Sequence, residues 1–150
     1  MKTLRTFEEF LSEGVIKKVK VDLQRAKSLT KSSEIRMNLL KERILKIGVR
    51  DDNSNEYVES CHDILMFLIR AKMLVEGYNS SGFKSHEAEV SYMRILGFNE
   101  KDIQFVDQMR FFRNGMLYYG VILDKEYAEK VIKFTKENFQ RLKKVLNLIN

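Results

Sequence analysis

The side chains best suited to chemistry lie close together between Asp107 and Gly120. Four of them recur every three or four residues, which puts them on one stripe of a helix: Asp107, Arg110, Asn114 and Tyr118. Arg113 lies on the flank of that stripe, and Gly115 interrupts the helix at a cost of up to about 1 kcal/mol relative to alanine. A helix that accepts this cost beside two arginines, an amide and two tyrosines is typical of a surface that something approaches closely.

A plainer interpretation of the same segment stays open. Arg110 then pairs with Asp107, the two tyrosines are core residues with hydrated hydroxyls, and Gly115 permits close helix packing. The two interpretations differ in whether the arginines are free to meet a ligand.

The composition favours a single helical domain over residues 1–150. The chain has no proline, one cysteine and a net charge of +6. One cysteine excludes an intramolecular disulfide framework and fits a reducing, cytoplasmic setting. The sequence also lacks an apolar run of the roughly 18 residues that a membrane span needs, so no membrane role is expected.

Hydrophobic spacing predicts an all-α fold, an up-and-down antiparallel bundle of about five helices. The predicted helical segments are a short one over residues 7–12 and five longer ones over residues 15–47, 56–78, 86–96, 99–119 and 124–149. Thr6, Ser85, Asn99 and Asp124 are the predicted N-caps. Residues 1–14 either belong to the bundle or form a peripheral N-terminal helix.

Three of these helices carry further predictions. In helix 15–47 the predicted inward face includes Val15, Val19, Ile35 and Leu39, and Ser32-Ser33 marks a kink or break. Helix 56–78 is apolar on two sides, which is typical of a central helix or of one that also forms a subunit interface. In helix 99–119 the recurring apolar and aromatic residues run from Ile103 to Tyr119.

Charge is distributed unevenly along the chain. Residues 15–50 carry eleven Lys and Arg against three acidic residues, a net of +8, whereas residues 51–65 carry five acidic residues and no Lys or Arg. The basic helix is either a phosphate-facing surface or a solvated outer face.

The order of these features resembles the HEPN superfamily over about residues 15–148. The family signature is an Arg, usually followed by a polar residue such as Asn, with a His some four to six residues after the Arg. Arg113 matches the Arg, Asn114 the polar residue and Tyr118 the His position. The segment from Tyr57 to Tyr78 and the Ser-His pair ending at His86 also resemble the family's second main helix and the residues after it.

The resemblance implies a homodimer in which the signature motifs of two chains face one cleft. Many HEPN proteins are metal-independent endoribonucleases, often toxins neutralised by a small nucleotidyltransferase. By this resemblance Arg113, Asn114 and Tyr118 are the catalytic candidates, while Arg110, Arg113 and Tyr119 would contact phosphate or stack on nucleic acid.

The same resemblance gives supporting roles to Asp63, Asp107 and His86, and it implies no metal or other cofactor. Asp63 is the expected neighbour of the motif arginine. Tyr118 departs from the family, because a phenol with an ordinary pKa of about 10 is a poor general base at neutral pH. His62, on the apolar helix, is expected to be a core or interface histidine.

The sequence therefore predicts an RNA- or nucleotide-binding HEPN-like homodimer without full ribonuclease activity. Two alternatives stay open: a toxin-like, metal-independent endoribonuclease, and an interaction module paired with a nucleotidyltransferase that modifies Tyr118 or Tyr119. Glu59 and His62 have the Glu-x-x-His spacing of di-iron bundles, but the second such pair that this site needs is missing, so no metal site is predicted.

Overall fold

The structure, a computed structural model, describes the backbone of residues 3–147 and the side chains of residues 3–144. Six α-helices and two short strands make up the described chain, which confirms the all-α bundle. They are α1 (Phe7–Ser12), β1 (Ile16–Lys18), α2 (Leu23–Ile47), α3 (Ser54–Val75), β2 (Tyr78–Ser80), α4 (Ser85–Ser91), α5 (Glu100–Tyr119) and α6 (Lys125–Asn147). Short 3₁₀ turns over Asp51–Asn53 and Tyr92–Arg94 precede α3 and follow α4.

The α3 helix is central, as its two apolar sides predict. It packs against α2, α5 and α6, and its apolar residues from Tyr57 to Leu74 are almost all buried. Aromatic pairs join α5 to α6, including Phe105 and Phe134, whose ring centroids lie 4.8 Å apart. Any charged side chain on α3 therefore has to emerge along the narrow strip that these neighbours leave uncovered.

Residues 15–22 are not helical, which corrects the predicted start of the second helix. Strand β1 pairs antiparallel with β2, with Ile16 opposite Ser80 and Lys18 opposite Tyr78. The stretch from Val15 to Val21 is rich in β-branched residues with lysines between them, a pattern that suits a strand. The next N–H along, that of Val19, donates to the carbonyl of Gly77 at 2.8 Å.

The α2 helix runs without a break from Leu23 to Ile47, so the predicted split at Ser32-Ser33 is wrong. Ser33 is fully buried, and its hydroxyl donates to the Ile64 carbonyl of α3 at 2.9 Å. The small side chain lets the two helices approach closely at that point. As a result, α2 buries Ala26, Ser33, Met37 and Leu40, and Ile35 and Leu39 are half exposed rather than inward.

Helix caps agree with the sequence at three of four positions. The side chains of Thr6, Asn99 and Asp124 each accept a backbone N–H from the first turn that follows. At α4 the cap residue is Lys84, in the left-handed region at φ 68°, and Ser85 is the first helical residue. The predicted end of the last helix at residue 149 lies outside the described residues.

The N-terminal segment packs on the bundle. Phe7 and Phe10 of α1 are buried, and so is Leu4 before it. The Arg94 guanidinium donates to the backbone carbonyls of Leu4 and Arg5 at 2.6 and 2.7 Å. Among residues 3–147, no helix combines the length and the apolar character needed to cross a membrane.

Candidate functional site

Arg113 lies where α5 crosses the uncovered strip of α3. Its side chain is 21% exposed, and its terminal Nη2 lies 3.9 Å from Glu59 Oε1 and 4.0 Å from Asp63 Oδ1. These contacts are too long for hydrogen bonds. The buried Nε atom has no hydrogen-bond partner among the described residues. The guanidinium therefore retains unused donors, and the expected proximity of Asp63 is confirmed.

Asp63 connects Arg113 to α2. Its Oδ2 lies 3.6 Å from Arg36 Nη1, and its Oδ1 lies 3.5 Å from His62 Nδ1. Burial by itself raises the pKa of the Asp63 carboxyl, but His62, Arg113 and Arg36 outweigh that effect and hold the pKa below its ordinary value. Asp63 is therefore an anion at neutral pH, shared between two arginines that it does not saturate.

His62 is buried behind Asp63, with 3% of its surface exposed. Neither ring nitrogen has a hydrogen-bond partner among the described residues. Burial lowers the pKa of His62, and the nearby charges of Arg113 and His86 act in the same direction against the opposing effect of Asp63. The sequence-based placement of His62 in the core is correct, and its imidazole is neutral at pH 7.

The uncovered strip of α3 continues one turn further with Phe67 and Arg70. The guanidinium carbon of Arg36 lies 5.1 Å from the Phe67 ring centroid, and that of Arg70 lies 5.8 Å from it. Both distances fall within cation–π range. Arg36, Arg70 and Arg113 are called the arginine cluster below, since Asp63 and Phe67 connect the three groups.

Arg70 connects the cluster to α4 through Glu89, whose side chain is buried. Arg70 donates to both carboxylate oxygens, with Nη2 to Oε1 at 3.1 Å, and His86 Nδ1 lies 3.0 Å from Oε1. Burial by itself raises the pKa of Glu89, but hydrogen bonds from His86 and Arg70 outweigh it and hold the pKa below its ordinary value. The ionised carboxylate therefore fixes the orientation of the His86 ring, which stays 49% exposed.

Arg110 is in a different situation from Arg113. Its Nε donates to Asp107 Oδ1 at 2.8 Å, and its Nη2 lies 3.7 Å from Glu87 Oε1. Asp107 and Arg110 are both nearly buried, at one wall of a concavity of about 450 Å³ between α4, α5 and the N-terminal segment. The pairing expected under the plainer interpretation is present.

Gly115 is explained by the fold itself. A Cβ atom there would lie 3.0 Å from Val121 Cγ2, because the chain turns back after Gly120 and the Val121 N–H donates to the Gly115 carbonyl. The close approach that the sequence predicted is therefore real, but the approaching group is the loop that follows α5.

The tyrosines of the motif point away from the core. Tyr118 is 75% exposed and Tyr119 is 85% exposed, so neither is the core residue that the plainer interpretation expects. Asn114 is half-buried next to Arg113. The end of α5 and its loop also expose Leu117 and Ile122. The structure thus leaves an uncovered apolar and aromatic surface one turn beyond Arg113.

No family model matches this sequence, and neither the curated proteins nor the solved structures contain a significant match. The assignment of function therefore rests on the residues and their geometry.

Three members of the site were missed from the sequence: Arg36, Arg70 and Glu89. A signal for Arg70 was present, because Asp63 and Arg70 are seven residues apart in a segment that is otherwise largely apolar. This spacing puts both on one face of a helix. Glu89 offered no such signal, since its burial depends on where α4 lies.

Proposed function

We propose that this protein is a HEPN-like phosphate-binding protein that takes RNA or a nucleotide at the arginine cluster, with Arg113 as the principal phosphate contact. The observation that carries the proposal is the half-buried guanidinium of Arg113, which has an unpartnered Nε and carboxylate contacts no closer than 3.9 Å. A phosphate would replace those long contacts with direct, charge-assisted hydrogen bonds.

The other arginines support this assignment to different extents. Arg36 shares Asp63 with Arg113 through a 3.6 Å contact, so it too can turn toward a phosphate. Arg70 is held by both oxygens of Glu89 and is better suited to fixing the geometry of the site. Arg110 keeps its predicted role as a second phosphate contact only if a ligand displaces Asp107, which bonds it at 2.8 Å.

A homodimer is part of the proposal. Exposed apolar and aromatic side chains lie next to Arg36 along α2 and one turn beyond Arg113 at the end of α5: Ile35, Leu39, Leu117 and Tyr118. Pairing of two copies across this face would cover those side chains and would bring two clusters to the walls of one cleft. Tyr118 and Tyr119 would then be available to stack on bases.

A protein partner is the second candidate function. The exposure of Tyr118 and Tyr119 favours it, because an enzyme that transfers a nucleotidyl group needs access to the phenol oxygen. In this case the protein would co-purify with a nucleotidyltransferase, and the phenols would gain the mass of the transferred group. Mass spectrometry of the native protein distinguishes this function from RNA binding.

The first experiment measures binding of labelled single-stranded RNA by fluorescence anisotropy, with unlabelled nucleotides as competitors. Arg113→Ala should weaken binding at least about tenfold, because a charge-assisted hydrogen bond contributes about 1.5–3 kcal/mol. Arg25→Ala is the matched control: it removes one exposed positive charge from the start of α2, eleven residues before Arg36.

We expect Arg25→Ala to weaken binding less than about threefold, as for one distant, screened charge. If both variants lost the same RNA affinity, binding would depend only on the overall positive charge. That result would contradict a specific site at Arg113. Absence of any RNA or nucleotide binding by the unaltered protein would refute the proposal. Sedimentation analysis tests the dimer separately.

A further inference from the structure

One histidine is presented to solvent by a carboxylate that is itself buried. His86 Nδ1 lies 3.0 Å from Glu89 Oε1. The side chain of His86 is half exposed, whereas that of Glu89 is only 2% exposed. Because an ionised carboxylate only accepts hydrogen bonds, Nδ1 carries the ring proton. The lone pair of the neutral ring is then on Nε2, the nitrogen that Glu89 does not bond.

Arg70 keeps the Glu89 carboxylate in place. It donates hydrogen bonds to both carboxylate oxygens, through Nε and Nη2. The carboxylate cannot turn away from the imidazole without breaking these two charge-assisted bonds. Glu89 is therefore a positioning residue for His86, since it sets both the tautomer and the direction of the ring.

The two histidines of the chain have opposite surroundings. His62 is 3% exposed, and neither of its ring nitrogens has a hydrogen-bond partner among the described residues. No reagent can reach that ring in the folded protein. His86 combines an accessible lone pair with an anion behind the ring, and these are the parts of a nucleophile and its orienting partner.

We propose that Nε2 of His86 is a phosphoryl acceptor, which makes the start of α4 a site of histidine phosphorylation. The donor carries its phosphoryl group on a good leaving group, as an acyl phosphate or a phosphoramidate does. The phosphoryl oxygens need no buried cation here, because the ring is open to water. This site is separate from the phosphate contact at Arg113, and it does not depend on RNA binding.

The transfer conserves atoms and charge. The lone pair of Nε2 forms a bond to phosphorus, while the bond from phosphorus to the leaving atom breaks. The leaving group departs with that electron pair, as acetate from acetyl phosphate or as ammonia from phosphoramidate. Nδ1 keeps its proton, so the ring becomes cationic beside the Glu89 carboxylate. Their hydrogen bond strengthens as this charge develops, which lowers the barrier to transfer.

The competing explanation is that Arg70, Glu89 and His86 only hold α4 against α3. His86 would then react like any exposed histidine, and the chain unfolded in urea supplies that reference. A ring whose only asset is exposure reacts more slowly in the folded protein, because half of its surface is covered. A ring positioned by a carboxylate reacts faster there than in urea, where no carboxylate is fixed next to it.

The test incubates the full-length chain with acetyl phosphate in one arm and phosphoramidate in the other, in buffer and in urea. Mass spectrometry follows the gain of one phosphoryl group, about 80 Da, and phosphorus NMR distinguishes attachment at Nε2 from attachment at Nδ1. We expect a single group on Nε2 of His86 from at least one donor. It should be added at least about tenfold faster to the folded chain than to the unfolded one. The arm that reacts identifies the class of donor.

Three variants identify the residues involved. His86→Gln should abolish the gain in mass, while the matched change His62→Gln should leave the rate within about twofold, because the buried ring takes no part. Glu89→Gln keeps an acceptor for Nδ1 but removes the negative charge, so it should slow transfer at least about fivefold with attachment still at Nε2. Melting temperatures establish that each variant is folded.

The ratio of folded to unfolded rates needs no variant, so it decides the proposal even if Glu89→Gln does not fold. A ratio of one or less, attachment at Nδ1, or an equal gain in mass in His86→Gln would each overturn the proposal. The same holds if neither donor reacts. These measurements contain no RNA, so their failure is distinct from failure of RNA binding at Arg113.

Discussion

The two parts of α5 over residues 100–110 and 111–119, called its first and second halves here, differ in how their arginines are paired. In the first half, Arg110 bonds an aspartate of its own helix at 2.8 Å, beside buried Val106 and Met109. In the second half, Arg113 reaches across to carboxylates on α3 at 3.9 and 4.0 Å, and the helix becomes exposed toward Tyr119. Three residues along one helix thus separate an arginine that stabilises the fold from one that can still receive a ligand.

The difference arises because the carboxylate that pairs with Arg110 is on the same helix, whereas the carboxylates that face Arg113 are on another helix. An acid three residues before an arginine on the same helix is held at bonding distance by the helix itself. An acid on a neighbouring helix lies where packing puts it, and here packing leaves a gap. Tight pairing therefore belongs to the structural half of α5, and loose pairing belongs to the half that we propose as functional.

The largest expected effect tests the tightly paired half. Asp107→Ala removes the closest partner of a nearly buried guanidinium, so we expect the free energy of unfolding to fall by about 3 kcal/mol. Urea denaturation followed by circular dichroism measures it. Asp63→Ala, on α3, is the matched change for the loosely paired Arg113 and should lower the free energy of unfolding by less than about 1 kcal/mol. Equal losses in the two variants would remove the distinction between the halves.

The next effect concerns the buried histidine next to Arg113. Because the pKa of His62 in the folded protein is below its ordinary 6.5, the unfolded chain binds more protons between those two values. Stability should therefore fall as pH drops below about 6.5, by up to about 1.4 kcal/mol per pH unit. His62→Gln should flatten the urea-unfolding profile between pH 7 and pH 5.

The carboxylates do not obscure this result. The pKa values of Glu89 and Asp63 are also held low, but their contributions to stability are lost only below their ordinary values of 4.5 and 3.8. If the free energy of unfolding of His62→Gln depended on pH as strongly as that of the unaltered protein, a group other than His62 would be responsible. That result would contradict the low pKa assigned to His62.

The smallest expected change in stability concerns Gly115, near the exposed end of α5. Gly115→Ala gains up to about 1 kcal/mol of helix propensity but drives the new Cβ to 3.0 Å from Val121 Cγ2. We expect the two effects nearly to cancel. In a Val121→Ala background the clash is absent, and the same substitution should raise the free energy of unfolding by up to about 1 kcal/mol. An equal response in both backgrounds would mean that Val121 does not limit this position.

Local features of the fold could be predicted from the sequence, and those that depend on distant partners could not. The caps at Thr6, Asn99 and Asp124 act within one helical turn, so they can be recognised without knowing the fold. Strand β1 escaped prediction because the residues of its partner β2 lie 60 to 64 positions away along the chain. Ser33 looked like a break in α2 because its acceptor, the Ile64 carbonyl, is on another helix.

The same distinction between local features and distant partners applies to the candidate site. Arg113 and Asp63 lie close together, as expected. Both are on helices with a clear hydrophobic pattern, and that pattern determines which side of each helix faces the core and which side carries the polar residues. Gly115 was correctly associated with a close approach, but the partner proved to be the loop at Val121. Glu89 could not be predicted, because the burial of its carboxylate depends on how α4 docks on α3, where Arg70 meets it.

The pairing of β1 with β2 also gives the molecule an amide whose exchange reports on the contact between the two strands. The Val19 N–H donates to the Gly77 carbonyl across a closure that spans α2 and α3, which fill most of the chain between the strands. The rate at which this proton exchanges with deuterated solvent therefore reports how often the two strands separate, whether alone or together with the helices between them.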